Sequence, residues 1–478
     1  IDTLSRYGAE KSNAFLDRLG AVSWQARRAA VKERINDMAD KLMKLAAERT
    51  LVLAPAMSPP PGAYEEFSAR FAWDETEDQR NAIEDVISDL GQTHAMDRLI
   101  CGDVGFGKTE VAMRAAFVAA SNGYQVAVVV PTTLLAFQHH ETFKQRFAGL
   151  PINVSQLSRL VGAKEAKTTK EQLKNGEVDI VVGTHTLLAK DVEFNNIGLL
   201  VVDEEQHFGV SQKERLKDLR RGLHVLTLTA TPIPRTLQLA LAGARDMSMI
   251  ASPPVDRLAI RSFVLPFDPV VIREAINRER HRGGQIFYVC PRIADIERLE
   301  KRLSELAPDA RVAIAHGQMA PRVLEAVIND FNQRKADILL STNIIEAGID
   351  IPNANTMLVH RADRFGLSQL YQLRGRIGRG KVRAYAYFTL PSGQILSGSA
   401  QKRLSVMQTL DTLGAGFTLA SHDLDIRGAG NLLGGEQSGH IKEVGVELYQ
   451  HMLEEAVAEL QEEKTGVSVR KEDWSPQI

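Results

Sequence analysis

Residues 98–120 read RLICGDVGFGKTEVAMRAAFVAA, and this stretch decides the fold class of the chain. It begins with a short, mostly apolar run, continues with a glycine-rich run at 102–109, and ends in a helical stretch. The run at 102–109 fits the pattern G-x-x-x-x-G-K-[ST]. Between a strand and a helix, that pattern marks a phosphate-binding loop. The stretch therefore predicts an α/β fold with a parallel sheet.

Ten short apolar runs, separated by helical stretches, extend this alternation over most of the chain. They are rich in Val, Ile and Leu without polar alternation, which is typical of parallel strands covered on both faces. They form two series, at 98–101, 126–130, 180–182, 199–202 and 225–228, and at 285–290, 312–315, 338–340, 357–359 and 385–390. The two series predict two similar α/β lobes, joined near 253–268.

Length, charge and cysteine content set only loose limits on function. The 478 residues predict about three domains, with roughly 150 residues as a soft size for each. The formal net charge of −2 gives no global electrostatic case for nucleic-acid binding, so such a site must be local. We expect neither a membrane span, which needs roughly 20 apolar residues, nor a signal peptide. Cys101 and Cys290 each lie in an apolar run, which predicts buried, reduced thiols and a cytoplasmic location.

Two segments lie outside the predicted lobes. Residues 22–49 carry apolar side chains at three-four spacing on one face, which predicts one long helix. The residues alone favour a packing helix laid across another domain. The run SPPPG at 58–62 ends this helix and predicts a linker. Beyond about 400 the chain again has a helical pattern, with a glycine-rich stretch at 414–439. Because the chain begins at Ile1 and not at methionine, we expect a longer parent protein.

The run at 102–109 predicts a site for ATP with Mg²⁺. Glycines let backbone N–H groups turn toward the phosphates, and the N-terminus of the next helix adds a favourable dipole. Lys108 is expected to contact the β- and γ-phosphates, and the Thr109 hydroxyl to bind Mg²⁺. The nucleotide-binding candidates of this loop are Gly102, Asp103, Val104, Gly105, Phe106, Gly107, Lys108, Thr109 and Glu110.

An acidic element follows the apolar run at 199–202. Asp203 is expected to hold Mg²⁺, directly or through water, and Glu204 to polarise the attacking water as a general base. Upstream of the first strand, Gln79 can form two hydrogen bonds with the edge of adenine, and Phe71 can stack on the base. A lone glutamine or phenylalanine is more often a surface or core residue, and that alternative stays open.

The second lobe carries arginines among glycines, in the run QLRGRIGR at 372–379. Arginine supplies planar, permanently charged donors that suit phosphate oxygens. Arg376 and Arg379 are expected to reach the γ-phosphate as arginine fingers, with Gln372 as a further catalytic candidate. A basic loop that binds nucleic acid is the alternative. If the two halves of one site lie on different lobes, lobe closure and hydrolysis are coupled, as in a motor.

In their order along the chain, these motifs resemble those of the superfamily 2 helicases and translocases. They are Gln79, the loop at 102–109, PTTLL at 131–135, GTH at 183–185, DEEQ at 203–206, TATP at 229–232, STNIIEAGID at 341–350 and the run at 372–379. The resemblance implies two RecA-like lobes and adds Gly348 and Asp350 to the nucleotide-binding candidates. TATPIPRTL at 229–237 and the stretch at 414–439 are similar to the RecG and Mfd branch. In that branch the stretch is the translocation motif for duplex DNA.

The amino-terminal residues narrow the resemblance. LSRYG at 4–8, LDRLG at 16–20 and the long helix resemble the bacterial transcription-repair coupling factors, whereas RecG would present an OB-type wedge domain there. The resemblance implies the following division: 1–21 the end of a polymerase-binding module, 22–62 a relay helix and linker, 63–252 the first RecA-like lobe, 253–400 the second lobe, and 401–478 the translocation motif with a C-terminal helical segment.

The same resemblance implies a function. It implies an ATP-dependent translocase on double-stranded DNA that displaces stalled RNA polymerase in transcription-coupled repair. RNA polymerase and UvrA would be partners, mostly through regions of the parent protein outside this chain. A RecG-like helicase that remodels DNA forks is the alternative. A module that binds nucleotide without turnover is a third hypothesis.

Motors of this class grip backbone phosphates and not base edges, so the resemblance implies DNA binding that is largely independent of sequence. Hydroxyls and backbone N–H groups suffice for such contacts, which is compatible with a net charge near zero. Each single residue could instead be a helix cap or a core hydroxyl. The DNA-binding candidates are Thr132, Thr133, Arg159, Thr184, His185, Ser341, Thr342, Ile345, Arg427 and Gln437.

Overall fold

The computed structural model describes residues 53–409, apart from gaps at 206–207, 210–211, 213–214, 217–221, 231–244, 255–256, 343–350, 379–381 and 394–395. Apart from the first two residues of the strand Asp246–Ile250, both sheets lie in one compact unit, formed by Leu53–Thr231 with Ser248–Leu419. Several predicted features fall outside the described residues: the segment at 1–21, the long helix at 22–49, the glycine-rich stretch at 414–439, Ile345, Gly348, Asp350, Arg379, Arg427 and Gln437.

The first lobe is built on a seven-stranded sheet. Its strands are β1 (Asp97–Gly102), β2 (Gln125–Val129), β3 (Val154–Leu157), β4 (Ile180–Gly183), β5 (Ile197–Asp203), β6 (His224–Thr229) and β7 (Asp246–Ile250). They lie in the order β3-β4-β2-β5-β6-β1-β7, and the first six of these pair in parallel. The described helices of this lobe are α1 (Ala63–Ala69), α2 (Glu77–Leu90), α3 (Lys108–Ser121), α4 (Thr133–Arg146) and α5 (Ala163–Asn175).

The core of the first lobe lies on both faces of this sheet. Val126 and Val128 of β2 pack in one apolar cluster, with residues of α1 to α4. Ala127 and Val129, which alternate with them, pack in a second cluster with α5. Successive side chains of a strand point to opposite faces, so a strand covered on both sides has no polar position. This explains the continuous apolar runs of the sequence.

The second lobe repeats the arrangement with six parallel strands. These are β8 (Arg261–Pro266), β9 (Gln285–Val289), β10 (Val312–Ala315), β11 (Ile338–Ser341), β12 (Ala354–Val359) and β13 (Tyr385–Leu390). Their order is β10-β11-β9-β12-β13-β8, and all pairs are parallel. The described helices are α6 (Pro269–His281), α7 (Ile296–Leu306), α8 (Pro321–Asn332), α9 (Leu367–Gly375) and α10 (Gly398–Thr409).

All ten apolar runs identified in the sequence form strands, so the prediction of two parallel-sheet lobes is confirmed. Cys101 and Cys290 are both buried, as expected. Three strands were not predicted: β3 and β7 at the two edges of the first sheet, and β8 at one edge of the second. None of the three is continuously buried, so each lacks the apolar signal of a central strand. Because β8 lies within 253–268, the connection between the lobes is shorter than predicted.

His360 is a buried histidine at the end of β12. Its side chain is 6% exposed, and its ring lies edge-on to Phe267 with centroids 6.1 Å apart. Neither ring nitrogen has a hydrogen-bond partner among the described residues. Burial lowers the pKa of His360 to about 4, with Arg298 adding repulsion of a positive charge. The folded protein therefore keeps this ring neutral where an unfolded chain would protonate it.

This histidine should make the fold acid-sensitive. Between the ordinary histidine pKa and the lowered one, the unfolded chain binds a proton that the folded chain does not, so stability falls as the pH drops. From pH 7 to pH 5.5 we expect His360 to remove roughly 1 kcal/mol from the free energy of unfolding. Urea unfolding at both pH values measures this loss. His360→Phe should reduce the loss, and an unchanged pH dependence in that variant would refute the assignment.

Candidate active site

The glycine-rich run forms a loop between the end of β1 and the start of α3. Gly105 and Gly107 have φ of 80° and 84°, in the left-handed region that favours glycine. A Cβ on Gly107 would clash with Nε2 of Gln79, so the Gln79 amide would have to shift to admit a side chain there. The loop thus has the strand, turn and helix context that the sequence predicted.

Lys108 points back into this loop. Its Nζ donates hydrogen bonds to the carbonyl oxygens of Gly102, at 2.6 Å, and Asp103, at 3.0 Å. Burial lowers the pKa of Lys108, while the negative charges of Glu204 and Asp203 oppose that shift. The positive charge of Arg376, from the second lobe, adds to it. The ammonium therefore lies where groups from both lobes act on it.

The acidic element lies at the end of β5, two strands from β1 in the sheet. Asp203 ends the strand, and both Asp203 and Glu204 are buried. The backbone of Glu204 has a φ of 51°, and its N–H donates to the Leu228 carbonyl at 3.0 Å. A left-handed conformation costs a non-glycine residue of order 1 kcal/mol, and such strain is concentrated at functional sites. The turn directs both carboxylates into the same cavity as Lys108.

Asp203 is held by a histidine that the sequence analysis did not identify. Nε2 of His139 lies 3.0 Å from Oδ2 of Asp203. Burial alone would raise the pKa of Asp203, but the hydrogen bond from His139 and the positive charges of Lys108 and Arg376 outweigh it. The pKa is therefore lowered, and Asp203 is a carboxylate at neutral pH.

The arginine run of the second lobe meets the phosphate-binding loop directly. Arg376 follows α9, is buried and lines the same cavity as Lys108. One turn earlier, the Tyr371 hydroxyl donates to the carboxylate of Asp103. A Cβ on Gly375 would lie 3.0 Å from Cβ of Val104, so the helix end and the loop are in close contact. These contacts bring Arg376 to the loop.

Arg257, in the connection between the lobes, joins the same contact. Its guanidinium donates to the Val104 carbonyl and, at 3.5 Å, to the Gly375 carbonyl. It lies 5.4 Å from the centroid of the Phe106 ring. The sequence analysis missed Arg257, because a single arginine in a connecting segment carries no local signal of its partners.

Residues of both lobes and of their connection line a cavity of about 550 Å³, which is within the usual size range of a ligand site. The predicted site residues that line it are Phe71, Gln79, Val104, Gly105, Gly107, Lys108, Thr109, Glu110, Asp203, Glu204 and Arg376. Gln372 is buried in α9 and is not among the lining residues, so its catalytic role stays a prediction.

The donor set at this cavity fits a magnesium ion that arrives with a nucleotide. Among the described residues, no group of three or more His, Cys, Asp or Glu side chains could hold a metal on its own. Magnesium bound to a nucleotide needs only one or two protein ligands, since phosphates and water supply the others. The Thr109 hydroxyl and the Asp203 carboxylate, which both line the cavity, are ligands of this kind.

At another part of the cavity, Gln79 is fixed by its own helix cap. Its Oε1 accepts from the Thr76 N–H at 2.9 Å, and its Nε2 donates to the Phe106 carbonyl at 2.9 Å. One N–H and one lone pair remain for adenine. Phe71 also lines the cavity, in edge contact with Trp73, whose side chain is 68% exposed. The sequence analysis missed Trp73, although a second aromatic residue so near Phe71 could have suggested it.

Glu110 is engaged in packing. Its Oε1 accepts from Nε of Arg114 at 2.6 Å and from Nη2 of Arg146 at 2.8 Å. The side chain is buried, so this pairing offsets the cost of burying the charge. Glu110 therefore joins α3 to α4, and its predicted role in nucleotide binding stays a prediction.

The DNA-binding candidates of the first lobe follow the carboxyl ends of its parallel strands. Thr132 caps α4, with its hydroxyl accepting from the Leu135 N–H at 3.2 Å, and Thr133 begins that helix. Arg159 follows β3, and its Nη2 lies 3.4 Å from Nε2 of His185. Thr184 is only 1% exposed, so its hydroxyl does not reach the surface.

A positive cluster surrounds His185. Burial lowers the pKa of His185, and the charges of Arg159 and Arg215 act in the same direction. Arg215 is exposed, and the sequence analysis did not identify it. Arginine charges at the edge of a sheet are suited to a phosphate backbone.

In the second lobe, Ser341 ends β11 and Thr342 follows it. The side chain of Ser341 is 0% exposed, and its Oγ has no hydrogen-bond partner among the described residues. Thr342 is partly exposed and donates its backbone N–H to the Ala315 carbonyl at 3.4 Å. Thr342 is thus better placed than Ser341 for contact with a bound phosphate.

The described part of the chain contains no helix with both the length and the apolar character needed to cross a membrane.

Two family matches cover the two lobes. Residues 76–240 match the DEAD/DEAH box helicase family, and residues 269–381 match the helicase conserved C-terminal domain. A solved structure of RecG bound to a three-way DNA junction is similar, with a TM-score of 0.72 and 31% identity over 90% of this chain and 57% of that one. Fold and site together define an ATP-hydrolysing enzyme of the helicase class, with two RecA-like lobes.

Relatives that match nearly all of this chain narrow the class to a family. The transcription-repair-coupling factor of Rickettsia bellii is 53% identical to this chain over 97% of its residues. Those of Escherichia coli and Bacillus subtilis are 50% and 49% identical to it over 100% of its residues. The chain belongs to the transcription-repair-coupling factor family, within the superfamily 2 helicases and translocases. It spans 40 to 42% of the length of these three relatives.

Proposed function

We propose that this chain is the motor of an ATP-dependent double-stranded DNA translocase that displaces stalled RNA polymerase in transcription-coupled DNA repair. The observation that carries the proposal is the split site. Lys108, Asp203 and Glu204 of the first lobe and Arg376 of the second line one cavity. The names of the relatives supply the biological setting.

Several groups of the cavity have an assigned task in the proposed reaction. The loop N–H groups and Lys108 bind the phosphates. Thr109 and Asp203 would hold Mg²⁺, which would neutralise negative charge on the phosphate oxygens. Glu204 accepts the proton of the attacking water. Arg376 donates to the phosphoryl oxygens as bond cleavage begins, which stabilises the transition state.

The division of the site between lobes links this chemistry to movement. Hydrolysis requires Arg376 to stay close to Lys108, and loss of the γ-phosphate removes the group that both bind. The lobes would then move apart and re-close with the next ATP, in a hinge motion. A DNA backbone held at the strand ends by Thr132, Thr133, Arg159 and Thr342 would advance with each cycle.

The partners follow from the family setting. DNA phosphates are the proposed contact, so binding should be largely independent of sequence and weaken with salt. RNA polymerase and UvrA are proposed partners of the parent protein, mostly through regions outside this chain. We also propose that the domain boundaries lie at residues 21, 62, 252 and 400. A cytoplasmic location is a further proposal.

Turnover of ATP with and without duplex DNA tests the proposal. We expect duplex DNA to stimulate hydrolysis several-fold, independent of sequence. Lys108→Ala should lower the stimulated rate by about 100-fold or more, because the phosphates lose their cation. Hydrolysis that does not respond to DNA, or a Lys108→Ala protein that still displaces a third strand from triplex DNA, would contradict the proposal.

The second candidate function is fork remodelling, favoured by the likeness to RecG. Both candidates need the same ATP site, so ATPase assays cannot separate them. Unwinding of a forked DNA substrate does. Robust fork unwinding by this chain, without movement along unbranched duplex, would favour the RecG-like function.

A further inference from the structure

A histidine on α4 touches the proposed magnesium ligand. His139 lies in the second turn of this helix and is buried. Its Nε2 is 3.0 Å from Oδ2 of Asp203, although 64 residues separate the two in sequence. His139 also lines the cavity that holds Lys108 and Glu204. None of the tasks in the proposed reaction uses this residue.

The direction of the hydrogen bond is fixed by chemistry. An ionised carboxylate only accepts hydrogen bonds. Nε2 of His139 therefore carries the ring proton and donates a hydrogen bond to Asp203. The ring is held from its side by Phe143, with centroids 6.3 Å apart. Its Nδ1 is buried and has no hydrogen-bond partner within the described residues. The Asp203 contact is thus the interaction that orients this imidazole.

The contact leaves one oxygen of Asp203 for other use. Oδ2 accepts from His139, so Oδ1 is available for a metal ion or for water bound to it. Without His139, the buried carboxylate would turn toward the nearest cations, and the positive charges of Lys108 and Arg376 both act on it. Either pairing would occupy a cation that the phosphates need. The hydrogen bond from His139 opposes that rearrangement.

We infer that His139 is a positioning residue that holds the Asp203 carboxylate in the orientation required for Mg²⁺. The inference rests on the proposed role of Asp203 in magnesium binding. Residues behind a metal ligand that fix its orientation typically affect metal affinity or activity by 10- to 100-fold. The effect of His139 should therefore appear in the magnesium dependence of nucleotide binding, and not in magnesium-free binding.

The test is a magnesium titration of fluorescent ATP binding, without DNA and with a non-hydrolysable analogue. His139→Leu should require about 10-fold more Mg²⁺ for half-maximal binding than the unsubstituted protein. Affinity measured in EDTA should be unchanged. His139→Gln should recover part of the loss, because its Nε2 amide lies near the imidazole Nε2. His140→Leu is the matched control on the same helix, since His140 pairs with Glu141 and should behave as wild type.

Several outcomes would overturn the inference. A magnesium dependence that is unchanged in His139→Leu, or equally impaired in His139→Gln and His139→Leu, would remove the positioning role. If His139→Leu does not fold, as judged by thermal unfolding, the comparison of His139→Gln with His139→Asn replaces it. His139→Asn should then require more Mg²⁺ than His139→Gln, because its side chain is shorter. Asp203→Asn separates the proposed metal role of Asp203 from the positioning role of His139. An unchanged magnesium dependence there would end the metal role of Asp203, and with it this inference, while ATP hydrolysis in the cavity would still stand.

Discussion

Replacing Glu204 with Gln should lower the ATP turnover rate by about 1,000-fold and leave ATP binding nearly unchanged. The amide keeps the shape of the side chain but cannot accept the proton of the attacking water. Glu204 is the carboxylate that we assign to this step, since Asp203 is engaged by His139. Single-turnover hydrolysis and the affinity for a fluorescent ATP analogue separate the two effects.

A neighbouring carboxylate provides the control for this prediction. Glu205 is the next residue along the chain and does not line the cavity. Glu205→Gln should keep turnover within about threefold of the unsubstituted protein, as expected for a change outside the site. If Glu204→Gln hydrolyses ATP at a normal rate, another group is the base and the assignment is wrong.

Removing Arg376 should have a comparably large effect through the other lobe. An arginine that stabilises phosphoryl transfer contributes about 1,000-fold or more to turnover, so Arg376→Ala should lose about that factor. Arg376→Lys should recover little, because a single ammonium does not replace the planar fork of donors. Steady-state kinetics with saturating duplex DNA measures the turnover rate, and the expected change in KM for ATP is small.

Arg383, an exposed arginine of the same lobe, supplies the matched control. Arg383→Ala should leave turnover unchanged. If Arg376→Ala raises KM for ATP and keeps the turnover rate, Arg376 binds the ground state only. The lobes would then be less tightly linked to the chemistry than we propose.

Much of the fold and site could be predicted from the sequence because of how parallel sheets are built. Central strands are buried on both faces, so they appear as unbroken apolar runs, as at β2 and β5. Their carboxyl ends lie at one edge, so residues that follow different strands converge. Lys108, after β1, and Glu204, after β5, therefore line the same cavity. The glycines of the loop predict backbone positions that need a positive φ.

The remaining site residues had no local signal. Tyr371 and Asp103 are 268 residues apart, and nothing near either predicts their hydrogen bond. The same holds for the contact of His139 with Asp203 and for Arg257, whose partners lie on both lobes. These pairs depend on how helices and lobes pack, which a single sequence does not specify.

Burial was the other quantity that the sequence did not specify. Thr184 and Ser341 were identified as hydroxyls able to contact DNA, yet the structure encloses both side chains. A small hydroxyl residue at the end of a strand suits either the surface or the core. Edge strands were missed for a related reason. The sequence of a half-exposed strand such as β7 lacks a continuous apolar run, so it resembles the sequence of a loop.

Triplex displacement tests the central claim, that ATP hydrolysis in a site split between two lobes drives movement along duplex DNA. A third strand bound to linear duplex is removed only by a protein that moves along the duplex. We expect ATP-dependent displacement by this chain, and none by Glu204→Gln or Arg376→Ala. Rapid DNA-stimulated hydrolysis without displacement, or displacement that persists in either variant, would contradict it.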